Sequence, residues 1–322
     1  MNKIYRQNEQ HTRLKRGYVT SLGKERALKF KKRYTRNSVF VGTCLGLFYL
    51  GVLYTAASLP LIVTQYFNAP ALMVFGTFVA SALITARQMR ALENVVHFGS
   101  HYNFSANPKV NDLLVNVLAA WPMLSDVRTY RRFHNAHHGR YGSKIDPCRQ
   151  RFSRMGVTAV DFSTRLRLML AVLRWLPSYT SEYYRDVGSN RAQILTFVLW
   201  HAMSFSLISM FTPDYAVTIA LVWIVGMFIV LPVLRSIAEV SEHDYDLGES
   251  EFATTFNNIG LMDQWLLHPA GDAWHLLHHL YPRIPWWKQR NAHNFLMKYD
   301  NVYQQGLHRA SILKDCSPND FN

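Results

Sequence analysis

Nine of the fourteen histidines in this chain fall into three short boxes and one isolated position. His97 and His101 stand in H-F-G-S-H, His134, His137 and His138 in H-N-A-H-H, and His275, His278 and His279 in H-L-L-H-H; His243 stands alone. Imidazole is a neutral nitrogen ligand suited to iron, zinc and copper. On a helix, residues three and four apart share a face, so each box aims its rings at one point. A solvated surface has no reason to cluster such rings, and an apolar core would leave many of their nitrogens without partners. Metal ligation removes that cost. A structural zinc site closes with four ligands, so nine histidines exceed its need. The count fits two ions with four or five imidazoles each and positions left open for an exogenous molecule, a setting that suits redox iron and dioxygen.

Ligating imidazoles usually donate their second N–H to a carboxylate or carbonyl. Glu93, four residues before His97, and Glu239, four before His243, share the ligand faces, and Asp146 follows box two in S-K-I-D-P. The remaining histidines read differently. His11, His293 and His308 are structural or solvated, His201 lies inside an apolar stretch where a packing role is as natural as a functional one, and His268 is outside the box spacing.

The elements that must carry the boxes are membrane helices. Uncharged stretches run over residues 38–65, 69–86, 192–211 and 215–234, each close to the ~20 residues a helix needs to cross a bilayer. The links between the first two and the last two are short, which predicts two hairpins. All 35 lysines and arginines lie outside these stretches, in the N-terminal arm, the long middle segment and the tail. Positive residues stay on the cytoplasmic side, so both termini and every box histidine are expected there. The fold expected is an all-α integral membrane protein, four transmembrane helices in two hairpins with a cytosolic helical cap bearing the histidine boxes. Its divisions are a basic arm over 1–37, a membrane domain over 38–290 and a tail over 291–322. Two further segments, Val110 to Leu124 and Arg165 to Leu176, look interfacial, and Trp286 and Trp287 fit an aromatic headgroup belt. The Gly42–Gly46 pair marks close helix packing.

Composition narrows the function classes. The net charge of +14 follows from topology and contact with anionic headgroups, and no nucleic-acid recognition motif accompanies it. Cys44, Cys148 and Cys316 are too scattered for a disulfide framework or a zinc site. The first forty residues are basic and polar, with no cleavable signal peptide visible.

The boxes in this order, the spans, the isolated His243 after the last span and L-Y-P-R-I-P-W-W after box three resemble the membrane fatty acid desaturase family. The resemblance covers about Ser38 to Trp287. It implies a non-haem di-iron cofactor, with all nine box histidines as iron ligands, that activates O2 and removes hydrogen from an unactivated acyl C–H bond. Members often carry an asparagine three residues before box three; Asp272 stands there in this chain, where an acidic group can hold a metal-bound water or pair with a histidine ring. The partners implied are a lipid or acyl substrate, O2 and membrane lipids. No fused haem-binding domain or ferredoxin cysteine pattern is present, so electrons come from outside, from a ferredoxin or similar acidic donor with its reductase, docking on the basic face. Hydroxylase, ketolase and olefin-forming decarboxylase chemistry stay open on the same site. A metal transporter would place its ligands at mid-membrane, where only His201 lies, and a zinc-dependent hydrolase has no use for so many histidines.

Overall fold

The structure, a computed structural model, describes residues 17–54, 58–155, 164–188, 190–248, 250–310 and 312; His11 and Cys316 lie outside them. The chain forms two compact units: Ser38–Tyr130 with Leu176–Ser236, and Met1–Asn37 with Arg131–Trp175 and Ile237–Asn322.

Among the described residues, four helices are long and apolar enough to cross a membrane: Val39–Tyr66, Ala71–Gly99, Arg191–Phe211 and Pro213–Glu242. The first unit takes its framework from them. Outward faces carry Phe40, Phe48, Leu72, Phe75, Leu199 and Phe211 largely uncovered, as lipid-facing residues would be. Inward contacts use small residues. A Cβ at Gly42 would lie 2.8 Å from Phe104, at Gly46 3.0 Å from Leu118 and at Gly226 2.9 Å from Thr85, so these glycines let neighbouring segments of the same chain approach closely. The Pro108–Val115 helix is capped by the Asn107 side chain, which accepts from the Lys109 amide at 3.0 Å, and it continues into a π turn over Asn116–Ala120. The segment expected to lie at the interface from Arg165 is helical over the longer range Arg165–Gly188, with Pro177 inside it.

His201 is buried in this unit and both ring nitrogens are engaged, Nδ1 with the Tyr54 hydroxyl at 3.0 Å and Nε2 with the Pro122 carbonyl at 3.1 Å. The packing role is the one the contacts describe. Arg235, also buried, forms an ion pair with the half-buried Glu93, Nε–Oε1 at 2.9 Å, and the guanidinium lies 3.6 Å from the Tyr183 ring centroid.

The second unit is helical with one departure from the all-α expectation, a two-stranded parallel sheet pairing Phe256–Asn258 with Leu307–Arg309. Its apolar core joins Phe30 and Tyr34 of the Lys24–Tyr34 helix to Leu276, Leu277, Leu280, Ile284, Leu296 and Tyr303. Asp300 ties the arm down. Its carboxylate accepts from the Tyr18 hydroxyl at 2.7 Å, the Ser21 hydroxyl at 2.9 Å, the Thr20 hydroxyl, and the amides of Val302 and Tyr303 at 3.1 Å. His293 and His308 are buried rather than solvated: His293 Nδ1 meets the Tyr303 hydroxyl at 2.9 Å and His308 Nε2 the Tyr303 carbonyl at 3.0 Å. Trp286, expected in a headgroup belt, is buried here with its backbone over Gly271.

Candidate metal centre

Seven of the nine box-type histidines lie in the second unit. Box two rides on the Val127–Arg140 helix, whose period puts His134, His137 and His138 on one face. Box three forms its own short helix, His275–Leu280, in which every residue is buried. That helix starts where it does because Gly271 takes φ +81° and lies so close to the Trp286 carbonyl that a Cβ would come within 2.5 Å of it. Only glycine meets both conditions without strain. Leu276, Leu277 and Leu280 face the apolar core, which turns the three histidines the other way. His243 follows the Leu231–Glu242 helix, held by a backbone bridge to Thr255.

The rings converge as two sets. In the first, His134 Nε2, His138 Nε2 and His278 Nε2 form a triangle with edges of 3.0, 3.1 and 3.2 Å. A neutral imidazole carries one proton, so hydrogen bonds cannot satisfy all three edges at once. Three nitrogens about 2.1 Å from one divalent ion at right angles would be about 3.0 Å apart. In the second, ligand atoms of His137, His243 and His279 lie within 4.8 Å of one another, and His275 Nε2 is 3.1 Å from His243 Nε2.

His279 gives the sharpest indication. The residue is 0% exposed, and among the described residues neither of its ring nitrogens makes a hydrogen bond. Burial, then the neighbouring rings of His138, His243, His275 and His137, hold its basicity well below the ordinary histidine range. A buried polar group in this state costs about 1–3 kcal/mol unless something else satisfies it. A cation does so, since the neutral ring presents a lone pair.

Carboxylates and hydroxyls surround the set. Asp146, fully buried, receives His137 Nδ1 at 2.9 Å and the Gly142 and Cys148 amides at 2.9 Å each. Burial would raise this carboxyl, but His137 and the two amides hold it below the usual carboxylate range. Burial likewise works against protonation of His137, yet Cys148 and Asp146 outweigh it and push its pKa up to about 10. Asp272 lies 3.6 Å from His275 Nδ1 and 3.4 Å from His268 Nδ1. Glu251, which sequence spacing did not single out, lies 4.0 Å from His279 Nδ1. The Tyr141 hydroxyl meets His243 Nδ1 at 3.0 Å and is fixed by Thr255 at 2.9 Å and Thr254 at 2.6 Å. His137 and His243 thus each have a polar oxygen at hydrogen-bond distance from one nitrogen, an arrangement that fixes the tautomer and direction of a ligating ring.

The other two acids named from the sequence are engaged elsewhere. Glu93 faces Arg235 in the span-bearing unit, and Glu239 pairs with Arg151 at 3.5 Å. His97 and His101 are also in the span-bearing unit. The Ala71–Gly99 helix continues well past the apolar stretch, as expected, but ends before His101, which sits in a turn with its amide bonded to the Phe98 carbonyl at 3.1 Å. Asn111 Nδ2 and Asn103 Nδ2 take the Gly99 and Phe98 carbonyls at 2.9 and 2.8 Å, which stops the helix there.

A family model described as fatty acid desaturase matches residues 73–310, a range that contains all nine box-type histidines. A relative, dihydrorhizobitoxine desaturase of Bradyrhizobium elkanii, is 26% identical over 240 residues, covering 68% of this chain and 67% of that protein. The family implies iron, and an imidazole-rich donor set with buried carboxylates behind it fits that metal. With the match extending over most of its length and four candidate spans present, the chain belongs to the fatty acid desaturase family and is a membrane protein with the character of a desaturase-like oxidoreductase.

Proposed function

We propose that the chain is a membrane di-iron oxidoreductase that uses O2 and external electrons to desaturate an acyl chain or related lipid. The observation that carries the reading is the nitrogen triangle of His134, His138 and His278, with edges of 3.0–3.2 Å, beside the set built on His243, His275 and His279. Bound iron would supply oxygen activation and the removal of hydrogen from an unactivated C–H bond. The protein's own part is to hold and aim. His134, His138 and His278 hold one ion, His137, His243, His275 and His279 the other, and His97 and His101 supply the remaining ligands. Asp146 keeps His137 in the tautomer that presents Nε2, and Tyr141 does the same for His243. The long apolar helices accept the substrate chain from the bilayer and exclude water from it.

The distribution of lysine and arginine supports a topology with both termini and the centre on the cytoplasmic side. Electrons then arrive from a small acidic donor such as a ferredoxin, itself served by a reductase, on the basic cytosolic surface.

The test is expression in a host of known lipid composition, with metal analysis of the purified protein and a full acyl profile. Dihydrorhizobitoxine belongs in the same substrate panel, because the relative is named for it. Near two irons per chain and products lacking two hydrogens support the reading. Products gaining one oxygen would move the chain to the hydroxylases, and a single zinc would end the proposal. His138→Ala and His278→Ala should each abolish turnover.

A further inference from the structure

His275 lies between two buried carboxylates, and they face different nitrogens. Asp272 Oδ1 is 3.6 Å from Nδ1; Glu242 Oε2 is 3.6 Å from Nε2. An imidazole that binds a metal does so through one nitrogen and makes its hydrogen bond through the other. The neighbouring ring tells which is which. His243 has its Nδ1 against the Tyr141 hydroxyl at 3.0 Å and Thr255 Oγ1 at 3.1 Å, while its Nε2 is 3.1 Å from His275 Nε2. The metal side of both rings is therefore Nε2, and Glu242 is on that side.

We propose that Glu242 is a metal ligand, adding one carboxylate to the set of His137, His243, His275 and His279. The proposal rests on the reading of the histidine cluster as a metal centre and changes its composition, since every ligand assigned from the sequence is a histidine. At 3.6 Å neither carboxylate is hydrogen-bonded to the ring, and the separation that bears on a shared ion is the one on the Nε2 side. It falls within the ~3.0–4.2 Å that separates two donors on one ion at bond lengths of about 2.1 Å. A negative ligand also offsets part of the metal charge.

His268 gains a role on the same reading. Its Nε2 faces Ser241 Oγ at 2.9 Å and Asn258 Nδ2 at 3.2 Å, and its Nδ1 faces Asp272 Oδ2 at 3.4 Å and Glu242 Oε1 at 3.7 Å. This buried histidine, outside every box, aims the carboxylates on both sides of His275.

The experiment loads purified protein anaerobically with Fe(II) or Co(II) alone and counts ions per chain, with the visible Co(II) band as a second readout. Wild type and the surface control Asp246→Asn should take up the same number of ions. Glu242→Ala should lose one of them, its affinity falling by about 100-fold, and added formate should restore it by filling the space left by the carboxylate; Glu242→Asp should retain it. Unchanged ion count and Co(II) band in Glu242→Ala overturn the proposal. So does a loss that formate leaves unrestored, which would make Glu242 a structural residue. A wild type that takes up neither ion removes the metal-centre reading itself, an outcome separate from a failure of Glu242 alone.

Discussion

The two units bury polar groups to opposite ends. In the span-bearing unit two buried residues find their partners within the protein: His201 has Tyr54 and the Pro122 carbonyl, and Arg235 has Glu93 and the face of Tyr183. In the unit bearing boxes two and three, His279 is sealed from water with neither nitrogen hydrogen-bonded, and three Nε2 atoms crowd within 3.2 Å. The cost of burying an unsatisfied polar atom is the same in both places. Folding alone meets that cost at His201 and Arg235; at His279 it is left standing among the described residues, where on the proposed reading an ion would meet it. A site that stabilises a ligand at the expense of the empty fold is the pattern expected where stability has been given up for function.

The strongest way to break this comparison is His279→Leu. The substitution should abolish metal retention in the second set and, with it, turnover. In metal-free protein it should raise thermal stability, because it replaces an unsatisfied buried ring with an apolar one of similar size, a gain of about 1 kcal/mol. A metal-free variant less stable than wild type would show that His279 is satisfied without an ion.

How far the site could be read from the sequence follows from what spacing encodes. Boxes two and three were legible because i, i+3, i+4 is itself a statement about one helical face. Asp146 was legible for a similar local reason: only a short turn separates it from His137. Glu93 and Glu239 were chosen by the same four-residue rule and instead face arginines, Arg235 and Arg151, because a helix face says nothing about which charge the neighbouring element brings. His101 was placed on a helix that Asn103 and Asn111 end early through side-chain contacts invisible to periodicity. Glu251 and His268 reach the histidines through tertiary contacts, without any box spacing, and so do Tyr141 in meeting His243 and Glu242 in facing His275. The paired strands are three residues each and join positions about fifty apart, too short to leave an alternating pattern.

The converse test lies in the span-bearing unit. Arg235→Met or Glu93→Leu alone strands a buried charge, and each should cost about 3–5 kcal/mol of thermal stability in detergent. The double variant should recover part of that loss, since it removes both charges of the pair while Arg90, 3.5 Å from Glu93, still loses a partner. Equal damage in single and double variants would show that these residues do more than satisfy each other.

Asp146→Asn probes the boundary between the two kinds of burial. The carboxylate is satisfied by protein groups, yet one of those groups is a histidine of the metal set. The amide keeps the shape but loses the charge that orients His137, so metal affinity should fall about 10–100-fold with the fold intact by circular dichroism. Unaltered affinity would separate His137 from the ion.

The smallest effect concerns Asp300, a buried carboxylate in the box-bearing unit that is satisfied wholly by the protein. Burial would raise its pKa, but Thr20, Tyr18 and the backbone amides of Tyr303 and Ser21 hold it below the ordinary value of 3.8. A carboxyl whose pKa is depressed by folding adds stability that is complete above its unfolded value and fades as pH falls through the folded one. The segment from Tyr18 to Tyr34 should therefore stay protected from hydrogen exchange at neutral pH and loosen as pH drops below about 4. Asp300→Asn should exchange faster at neutral pH and lose most of that dependence, with metal content unchanged. Protection that persists in acid would mean that Phe30 and Tyr34, packed against the core, hold the arm without the carboxylate.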